Sequence, residues 1–177
     1  MVLLNVPSFP RNAGCPFCIR LEDTDREPPG ELVWSFPTSM AFLGRWQHWQ
    51  GYIVLVSRSH CREPIHLPQG ELDSYTREMF MVARSIEKAF QPLKLNYELL
   101  GNQVEHPHWH IFPRQTNEME KDQTQPVWVL ISRAENHLEK KAALSRLEAG
   151  TLQRTEICHR LKIALREMGA EWQAENR

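Results

Sequence analysis

The chain has few cysteines, no long apolar run and almost no net charge. Its 177 residues include four cysteines and carry a formal charge of -1 at pH 7. Four cysteines are too few for a disulfide scaffold of this length, which favours a reducing compartment, the cytoplasm. The near-neutral charge argues against stable, non-specific binding to nucleic acid, although a local positive site can still bind a small phosphorylated ligand.

The sequence predicts neither a membrane-spanning helix nor a secretion signal. No apolar run approaches the ~18 residues that a membrane helix needs. The first ten residues, MVLLNVPSFP, lack the basic leader and the long apolar core of a signal peptide. The composition, 41% hydrophobic and 24% charged, is typical of a soluble globular protein. We expect no membrane partner and one domain over residues 1–177.

The periodicity of apolar residues predicts an α+β fold. Short apolar segments bounded by proline or glycine are typical of strands, and apolar residues at every third or fourth position are typical of helices. Strands are predicted at 32–36, 39–44, 52–57, 94–100 and 106–112, a strand-like segment at 127–132, and helices at about 70–90 and 155–172. This order predicts an antiparallel sheet of five to six strands, with a core at about 13–114 and a C-terminal extension at about 121–177.

Two stretches are predicted to be irregular. The first thirty residues contain five prolines and are predicted to form a loop around CPFCIRLED. The stretch RWQHWQG, residues 45–51, is predicted to connect two strands, and its two tryptophans either fill the core or form a lid or subunit contact. Pro113 is predicted to end the strand at 106–112.

The segment HPHWH, residues 106–110, holds three of the protein's eight histidines. Successive side chains of a strand point to opposite faces, so His106, His108 and His110 are expected on one face and their apolar neighbours on the other, against the core. Three explanations stay open: a solvated polar face, a three-histidine metal site, or a division of roles. The outer two histidines lie too far apart along a strand for one compact tetrahedral site.

Under a division of roles, His108 is a nucleophile, His106 joins a metal site and His110 orients the substrate or contacts its phosphate. A neutral imidazole is a good nucleophile near pH 7 because its pKa lies close to that value, and it can attack phosphorus. Its other ring nitrogen must then donate its proton to an acceptor.

Cys15 and Cys18 form a C-x-x-C pair, the commonest half of a tetrahedral zinc site. A redox pair and two unligated structural cysteines are the alternatives; a redox pair usually opens a helix after a buried strand. Cys61 and Cys158 have no spacing partner, so histidines are expected to complete a zinc site.

His60, directly after a predicted strand, and His106 are the histidines expected to complete a Cys₂His₂ site. His48 and His66 lie in loop-like sequence and are weaker candidates. A closed site of this kind is structural, and it would fix the irregular N-terminal segment to the strand that carries His108.

Several segments together resemble the histidine triad (HIT) superfamily. Residues 106–112, HPHWHIF, are similar to the HIT motif, and residues 95–102 are similar to the strand and glycine turn that precede it. Residues 51–60 resemble the Gly-His…Pro-Lys-x-His segment, with Tyr52 in place of the usual histidine and Ser57-Arg58 in place of Pro-Lys. The CPFC pair resembles the zinc-binding cysteines of many bacterial members.

The resemblance is strongest to bacterial HIT hydrolases of the diadenosine polyphosphate hydrolase type. It implies a HIT-like fold, a homodimer, and an enzyme that cleaves phosphoric anhydride or phosphoramidate bonds of nucleotides through a nucleotidyl-histidine. His108 matches the nucleophile, and His110 matches the histidine near the scissile phosphate. The remaining implied roles are substrate binding by Asn96, Asn102 and Gln103, and a structural zinc held by Cys15, Cys18, His60 and His106.

Departures from the family pattern keep two alternatives open. The transferase and phosphorylase branches have glutamine where this chain has His110, which favours hydrolysis. The transferases, however, also have the His-Pro-His sequence found here. The aspartate that binds ribose hydroxyls in many relatives should fall near Gly44 and is absent, which leaves a non-enzymatic nucleotide-binding protein open. The nearby cations Arg58, Lys94 and Arg114 are expected to be solvated surface charges.

Overall fold

The computed structural model describes residues 12–24, 27–28, 30–116 and 118–173. Expectations that fall on residues 1–11 and on Pro29, including the absence of a leader, lie outside the described residues. The strands are β1 (Leu32–Ser35), β2 (Ser39–Leu43), β3 (Ile53–Ser57), β4 (Lys94–Glu98) and β5 (His108–Arg114). The helices are α1 (Pro16–Glu22), α2 (Gln69–Phe90), α3 (Glu120–Gln123), α4 (Val127–Glu135), α5 (Lys140–Glu148) and α6 (Arg154–Glu167).

The strands form one antiparallel sheet in the order β1-β2-β3-β5-β4. This confirms the predicted α+β class and, within the described residues, gives the sheet five strands. The order brings β5, which carries two of the three clustered histidines, between β3 and β4. No helix in the described ranges is long and apolar enough to cross a membrane.

Each face of the sheet is covered by helices, because the strand residues are apolar on both faces. On one face, Ile53, Leu55 and Ile111 pack in a core with residues of α2 and α6. On the other face, Val54, Val56 and Phe112 pack with α1, α4 and the 45–51 loop. The residues that alternate with the histidines on β5 face the first core, as predicted from strand alternation. Ile111 is fully buried in that core, and Trp109 packs against the core.

The two tryptophans of the 45–51 loop fill the second core. Trp46 is 8% exposed and Trp49 is 0% exposed, and the ring of Trp49 contacts Phe112 edge-on. The core-filling interpretation of the RWQHWQG loop is therefore confirmed, and a lid role for these tryptophans is not.

The prediction of a strand-like segment at 127–132 is wrong, because these residues begin helix α4. Its buried residues, Val127, Ile131 and Ala134, have the spacing of one helical face. A run of only five apolar residues is too short to distinguish a helix from a strand by sequence alone. The CPFCIRLED segment, around which a loop is predicted, contains helix α1, which Pro16 opens at a position where its missing N–H costs nothing.

The histidine strand has different bounds from those predicted. It begins at His108 and runs through Pro113 to Arg114, so His106 lies before the strand rather than on it. The β3–β5 pairing ends at Ile53 opposite Ile111, two residues before Pro113, so the proline removes no hydrogen bond from that ladder. The helices predicted at 70–90 and 155–172 are observed at 69–90 and 154–167.

Candidate active site and metal centre

The four residues proposed as metal ligands converge at one end of the sheet. One ligand atom from each of Cys15, Cys18, His60 and His106 lies within 4.8 Å of the other three. His60 follows β3 and His106 precedes β5, and these antiparallel strands pair directly, so their ends meet. The cysteines flank the first turn of α1, which brings both sulfurs to the same point. Neither His48 nor His66 belongs to this group.

Four of the six distances among the ligand atoms match those of a tetrahedral zinc site. Nδ1 of His60 and Nδ1 of His106 are 3.3 Å apart. Sulfur-to-nitrogen distances are 3.5 Å for Cys15–His106, 3.5 Å for Cys18–His60 and 3.6 Å for Cys18–His106. Zinc bonds of ~2.05 Å to nitrogen and ~2.3 Å to sulfur at tetrahedral angles require ~3.3 Å and ~3.6 Å between the ligands. The donor set and its spacing therefore fit zinc.

Groups around the ligands support metal binding. Nε2 of His106 lies 2.7 Å from the carbonyl oxygen of Ser57, which can only accept, so the ring donates there and its Nδ1 lone pair faces the cluster. The backbone N–H of Asn12 donates to the sulfur of Cys18 at 3.3 Å. A hydrogen bond of this kind stabilises thiolate, the form that ligates a metal.

His108 lies beside the four candidate metal ligands, and its hydrogen bond defines which ring nitrogen carries the proton. Its Nδ1 is 2.6 Å from its neighbour's carbonyl oxygen, that of His106. Because the carbonyl can only accept, Nδ1 carries the proton and the lone pair is on Nε2. Burial lowers the pKa of His108, and the hydrogen bond to His106 offsets part of that shift. The ring of Phe17, from the CPFC turn, packs 4.6 Å from the His108 ring.

His110 lies next along the same face and has a different partner. Its Nδ1 is 2.6 Å from the hydroxyl of Tyr52, and its ring centroid is 4.8 Å from that of His108. Burial, followed by the charge of His108, lowers the pKa of His110 to about 3. The ring is therefore neutral at physiological pH.

The predicted substrate-binding residues lie near the histidines in different environments. Asn102 is exposed and lines a cavity of about 250 Å³ together with Gly101, His106 and His108. Gln103 is exposed in the same turn. Asn96 is half-buried on β4, and its Oδ1 accepts a hydrogen bond from Nη1 of Arg114 at 3.0 Å.

The expectation that nearby cations are solvated is wrong for two of the three. Arg114 is 3% exposed and is paired with Glu118, whereas Arg58 is 7% exposed and donates to the carbonyl of Phe36 and the hydroxyl of Ser35. Only Lys94 is exposed, as expected. Arginine buried in this way must be paired, and the sequence does not show the partners.

Sequence reasoning missed three residues that surround His110. Tyr52 was noted only as a departure from a family pattern. Glu98 lies opposite His110 in the β4–β5 register, and the ring of Trp128 from α4 lies 5.0 Å from the His110 ring, edge to face. Burial raises the pKa of Glu98. The two-residue spacing of Asn96 and Glu98 on a predicted strand places them on one face and was a usable signal for Glu98.

Comparison with known proteins agrees with this architecture. The family model described as HIT domain matches residues 25–117. No curated protein matches the sequence significantly. Among solved structures, a histidine triad protein from Sinorhizobium meliloti 1021 is 25% identical, with a TM-score of 0.51 over 60% of this chain and 76% of that chain.

Two further solved structures resemble the fold over most of their length. A zinc-bound histidine triad family protein from Mycobacterium smegmatis has a TM-score of 0.58 at 14% identity, over 88% of this chain and 96% of that chain. A hypothetical histidine triad nucleotide-binding protein from Sulfolobus tokodaii strain 7 has a TM-score of 0.59 at 14% identity, over 85% of this chain and 93% of that chain. At these identities, the two structures show a shared fold.

Proposed function

The chain belongs to the HIT domain family, and from this premise we propose that it is a nucleotide hydrolase that works through a covalent nucleotidyl intermediate on His108. The substrates are dinucleoside polyphosphates or related nucleoside phosphates and phosphoramidates. The observation that carries the proposal is the 2.6 Å hydrogen bond from Nδ1 of His108 to the carbonyl of His106. It leaves the Nε2 lone pair available, which nucleophilic attack requires.

The reaction proceeds in two displacements at the same phosphorus. Nε2 of His108 attacks the α-phosphorus, an N–P bond forms, and the bond to the leaving phosphate or amine breaks, with its electron pair going to the leaving group. The imidazole then carries a positive charge, which the carbonyl of His106 stabilises through Nδ1–H. Water attacks the phosphorus next, the N–P bond breaks, and a nucleoside monophosphate and a proton are released.

Other predicted residues have supporting roles in this proposal. His110 lies against His108, where it contacts an oxygen of the transferred phosphate. Asn102 lines the cavity next to His108, and Gln103 follows it in the chain, which supports a proposed contact of both with phosphate or ribose. Asn96 is bonded to Arg114 through Oδ1, which leaves its amide N–H groups for the substrate.

Zinc is proposed as a structural cofactor of this chain. Cys15, Cys18, His60 and His106 would hold it, and the tetrahedral spacing of their ligand atoms supports this assignment. All four ligands come from the protein, so the site is closed and the ion supplies folding energy rather than chemistry. His106 then fixes the chain directly before the nucleophile.

We also propose that the chain acts as a single-domain cytoplasmic homodimer. None of the four cysteines, all of which lie in the described residues, forms a disulfide, which is consistent with a reducing compartment, and the packing of α6 against the sheet supports one domain. The edge strand β4 carries exposed Tyr97, and Leu93 and Phe80 are exposed nearby, a set suited to a second copy. A monomer mass by light scattering at micromolar concentration would refute the dimer.

The function is tested with a panel of dinucleoside polyphosphates, nucleoside phosphoramidates and nucleotide sugars. We expect the wild type to release nucleoside monophosphate from at least one class, and His108→Asn to lose turnover by a factor of about 10⁴ or more. A radiolabelled substrate, rapidly quenched, should leave label on the wild-type protein but not on the variant.

The panel includes a control and separates the alternatives. His159→Asn removes a histidine from the distant helix α6 and should leave turnover unchanged. Normal turnover by His108→Asn would contradict the mechanism. Acceleration by added phosphate or sugar phosphate would indicate a transferase or phosphorylase. Tight binding of AMP without turnover or a trapped intermediate would indicate a non-enzymatic nucleotide-binding protein.

A further inference from the structure

We propose that Tyr52 is a positioning residue that holds His110 in the tautomer with its proton on Nε2, so that this N–H is presented to the phosphate of the substrate. The observation is the short hydrogen bond, 2.6 Å, between the Tyr52 hydroxyl and Nδ1 of His110. This inference rests on the proposed function, because it assigns the electrophilic group that assists attack by His108.

The ring of Tyr52 is fixed on both sides. It stacks on Phe112 with ring centroids 3.8 Å apart and planes 15° apart. On another side it lies against the backbone of Gly44, where an added Cβ would come within 2.2 Å of the Tyr52 ring. The residue is 3% exposed, so its hydroxyl is held at one place rather than sampling solvent.

The direction of the hydrogen bond follows from the partners available. Tyr52 has one hydroxyl proton, and within the described residues Nδ1 of His110 is the only hydrogen-bond partner of that hydroxyl. If His110 donated from Nδ1 instead, the buried phenol proton would have no acceptor, which is costly. Burial and the carboxylate of Glu98 both raise the pKa of Tyr52, so the phenol keeps its proton. Tyr52 therefore donates to Nδ1.

The proton of the neutral His110 ring is then on Nε2. That nitrogen makes no hydrogen bond to the protein in the part of the chain that the structure describes, so it is free to donate to a ligand. A lone pair there would repel an anionic phosphate oxygen, whereas an N–H attracts it.

The two neighbouring imidazoles are thereby held in opposite tautomers. A main-chain carbonyl fixes the proton of His108 on Nδ1 and makes its Nε2 a nucleophile. A side-chain hydroxyl fixes the proton of His110 on Nε2 and makes it a donor. One group attacks phosphorus while the other stabilises the charge that develops on its oxygens.

The test uses Tyr52→Phe, which keeps the stacked ring and removes only the hydroxyl. In protein labelled with ¹⁵N-histidine, the nitrogen shifts of wild-type His110 should show a protonated Nε2 and an unprotonated Nδ1. Tyr52→Phe should lose this single state and show exchange between tautomers. We expect its kcat to fall by about tenfold to a hundredfold, with a much smaller change in KM, because the donor acts on the transition state.

Tyr75→Phe is the matched control, because Tyr75 is also buried and its hydroxyl donates to the main-chain carbonyls of Leu55 and Pro107 rather than to a histidine ring. It should leave the His110 nitrogen shifts unchanged. A wild-type His110 protonated on Nδ1, or a Tyr52→Phe variant with unchanged shifts and unchanged kcat, would overturn the assignment. The nitrogen shifts need no substrate, so an inactive wild type would refute the proposed function while the tautomer is still decided.

Discussion

The three clustered histidines differ in their hydrogen-bond partners, and these partners decide what each can do. His106 donates from Nε2 to the carbonyl of Ser57 and turns Nδ1 toward two cysteines. His108 donates from Nδ1 to a carbonyl, and His110 faces the hydroxyl of Tyr52. In our proposals, identical side chains thus present an Nδ1 ligand, an Nε2 nucleophile and an Nε2–H donor.

Gly44 makes the position of Tyr52 possible, and this gives a prediction at the scale of one residue. A Cβ at position 44 would lie 2.2 Å from Cδ1 of Tyr52, closer than any real contact, and Tyr52 is clamped against Phe112 on its other side. Gly44→Ala should therefore destabilise the fold by about 1–3 kcal/mol. Urea unfolding measures this change, and histidine nitrogen shifts should report a disturbed His110.

The matched control for Gly44→Ala is Gly70→Ala. Gly70 lies in the first turn of α2, and an added Cβ there would have no heavy atom within 4 Å. Alanine is a better helix former, so this variant should be neutral or stabilising by up to about 1 kcal/mol. Equal unfolding free energies for the two variants would show that the space beside Tyr52 is not restricted.

At the scale of elements, β5 joins the candidate active site to the C-terminal helices. It begins at His108, the proposed nucleophile, and ends at Arg114, whose guanidinium is buried. That group pairs with Glu118 at 2.7 Å and donates to the carbonyls of Asp122 and Gln125. It therefore fixes the segment after the strand, which leads into α4 and places Trp128 against His110.

Because Arg114 anchors this segment, we predict a large loss in the free energy of unfolding when Arg114 is replaced and Glu118 is kept. In Arg114→Met, the carboxylate of Glu118 would stay buried without its cation, so we expect a loss of about 3–5 kcal/mol in the free energy of unfolding. Burial raises the pKa of Glu118, and hydrogen bonds from Arg114, from the backbone of Gln115 and from Trp49 more than offset it. Adding Glu118→Gln should recover part of the loss, since it removes the unpaired charge.

Arg133→Met is the control for the Arg114 variant. Arg133 also pairs with an acid, Asp122, at 2.9 Å, but its side chain is 56% exposed. Solvent screens such a pair, so its loss should cost no more than about 1 kcal/mol. A similar cost for both arginine variants, measured by urea unfolding, would contradict the anchoring role of Arg114.

At the scale of the whole molecule, the candidate metal centre brings together parts of the chain that are far apart in sequence. It connects the start of α1 with the end of β3 and the approach to β5. Phe17, between the two cysteines, packs on the His108 ring, so the candidate centre also shapes the surroundings of the proposed nucleophile. Bringing together residues this far apart in sequence costs chain entropy. An ion bound by all four residues offsets that cost only in the folded state.

Metal removal gives the prediction at this scale. Elemental analysis of purified protein should find about one zinc per chain, with Cys15 and Cys18 resistant to thiol reagents until a chelator is added. The chelated protein should unfold at a lower temperature, because zinc at a thousand times its Kd stabilises by about 4 kcal/mol.

Cysteine variants separate zinc binding from a general effect of thiol loss. Cys18→Ser should lose zinc, whereas Cys61→Ser, at a half-buried cysteine outside the cluster, should keep it. Less than about half an equivalent of zinc in the wild type, or full zinc in Cys18→Ser, would refute the Cys₂His₂ site and revive the redox or unligated interpretation.

The sequence by itself determined those features whose signal is local. Periodicity located helix α2 and all five strands to within a few residues, and the alternation in HPHWH placed His108 and His110 on one face. The C-x-x-C spacing and the family pattern selected the four residues that the fold brings together. These signals are readable because each depends on neighbours along the chain.

Tertiary structure alone decided what depends on partners distant in sequence. The short apolar run at 127–132 is a helix because one face of it packs on the sheet, and Arg58 and Arg114 are buried because acceptors from other segments satisfy them. Tyr52 meets His110 across 58 positions. Residue type and spacing limit which hydrogen bonds a side chain can make, but only the packing of the folded chain selects the one it makes.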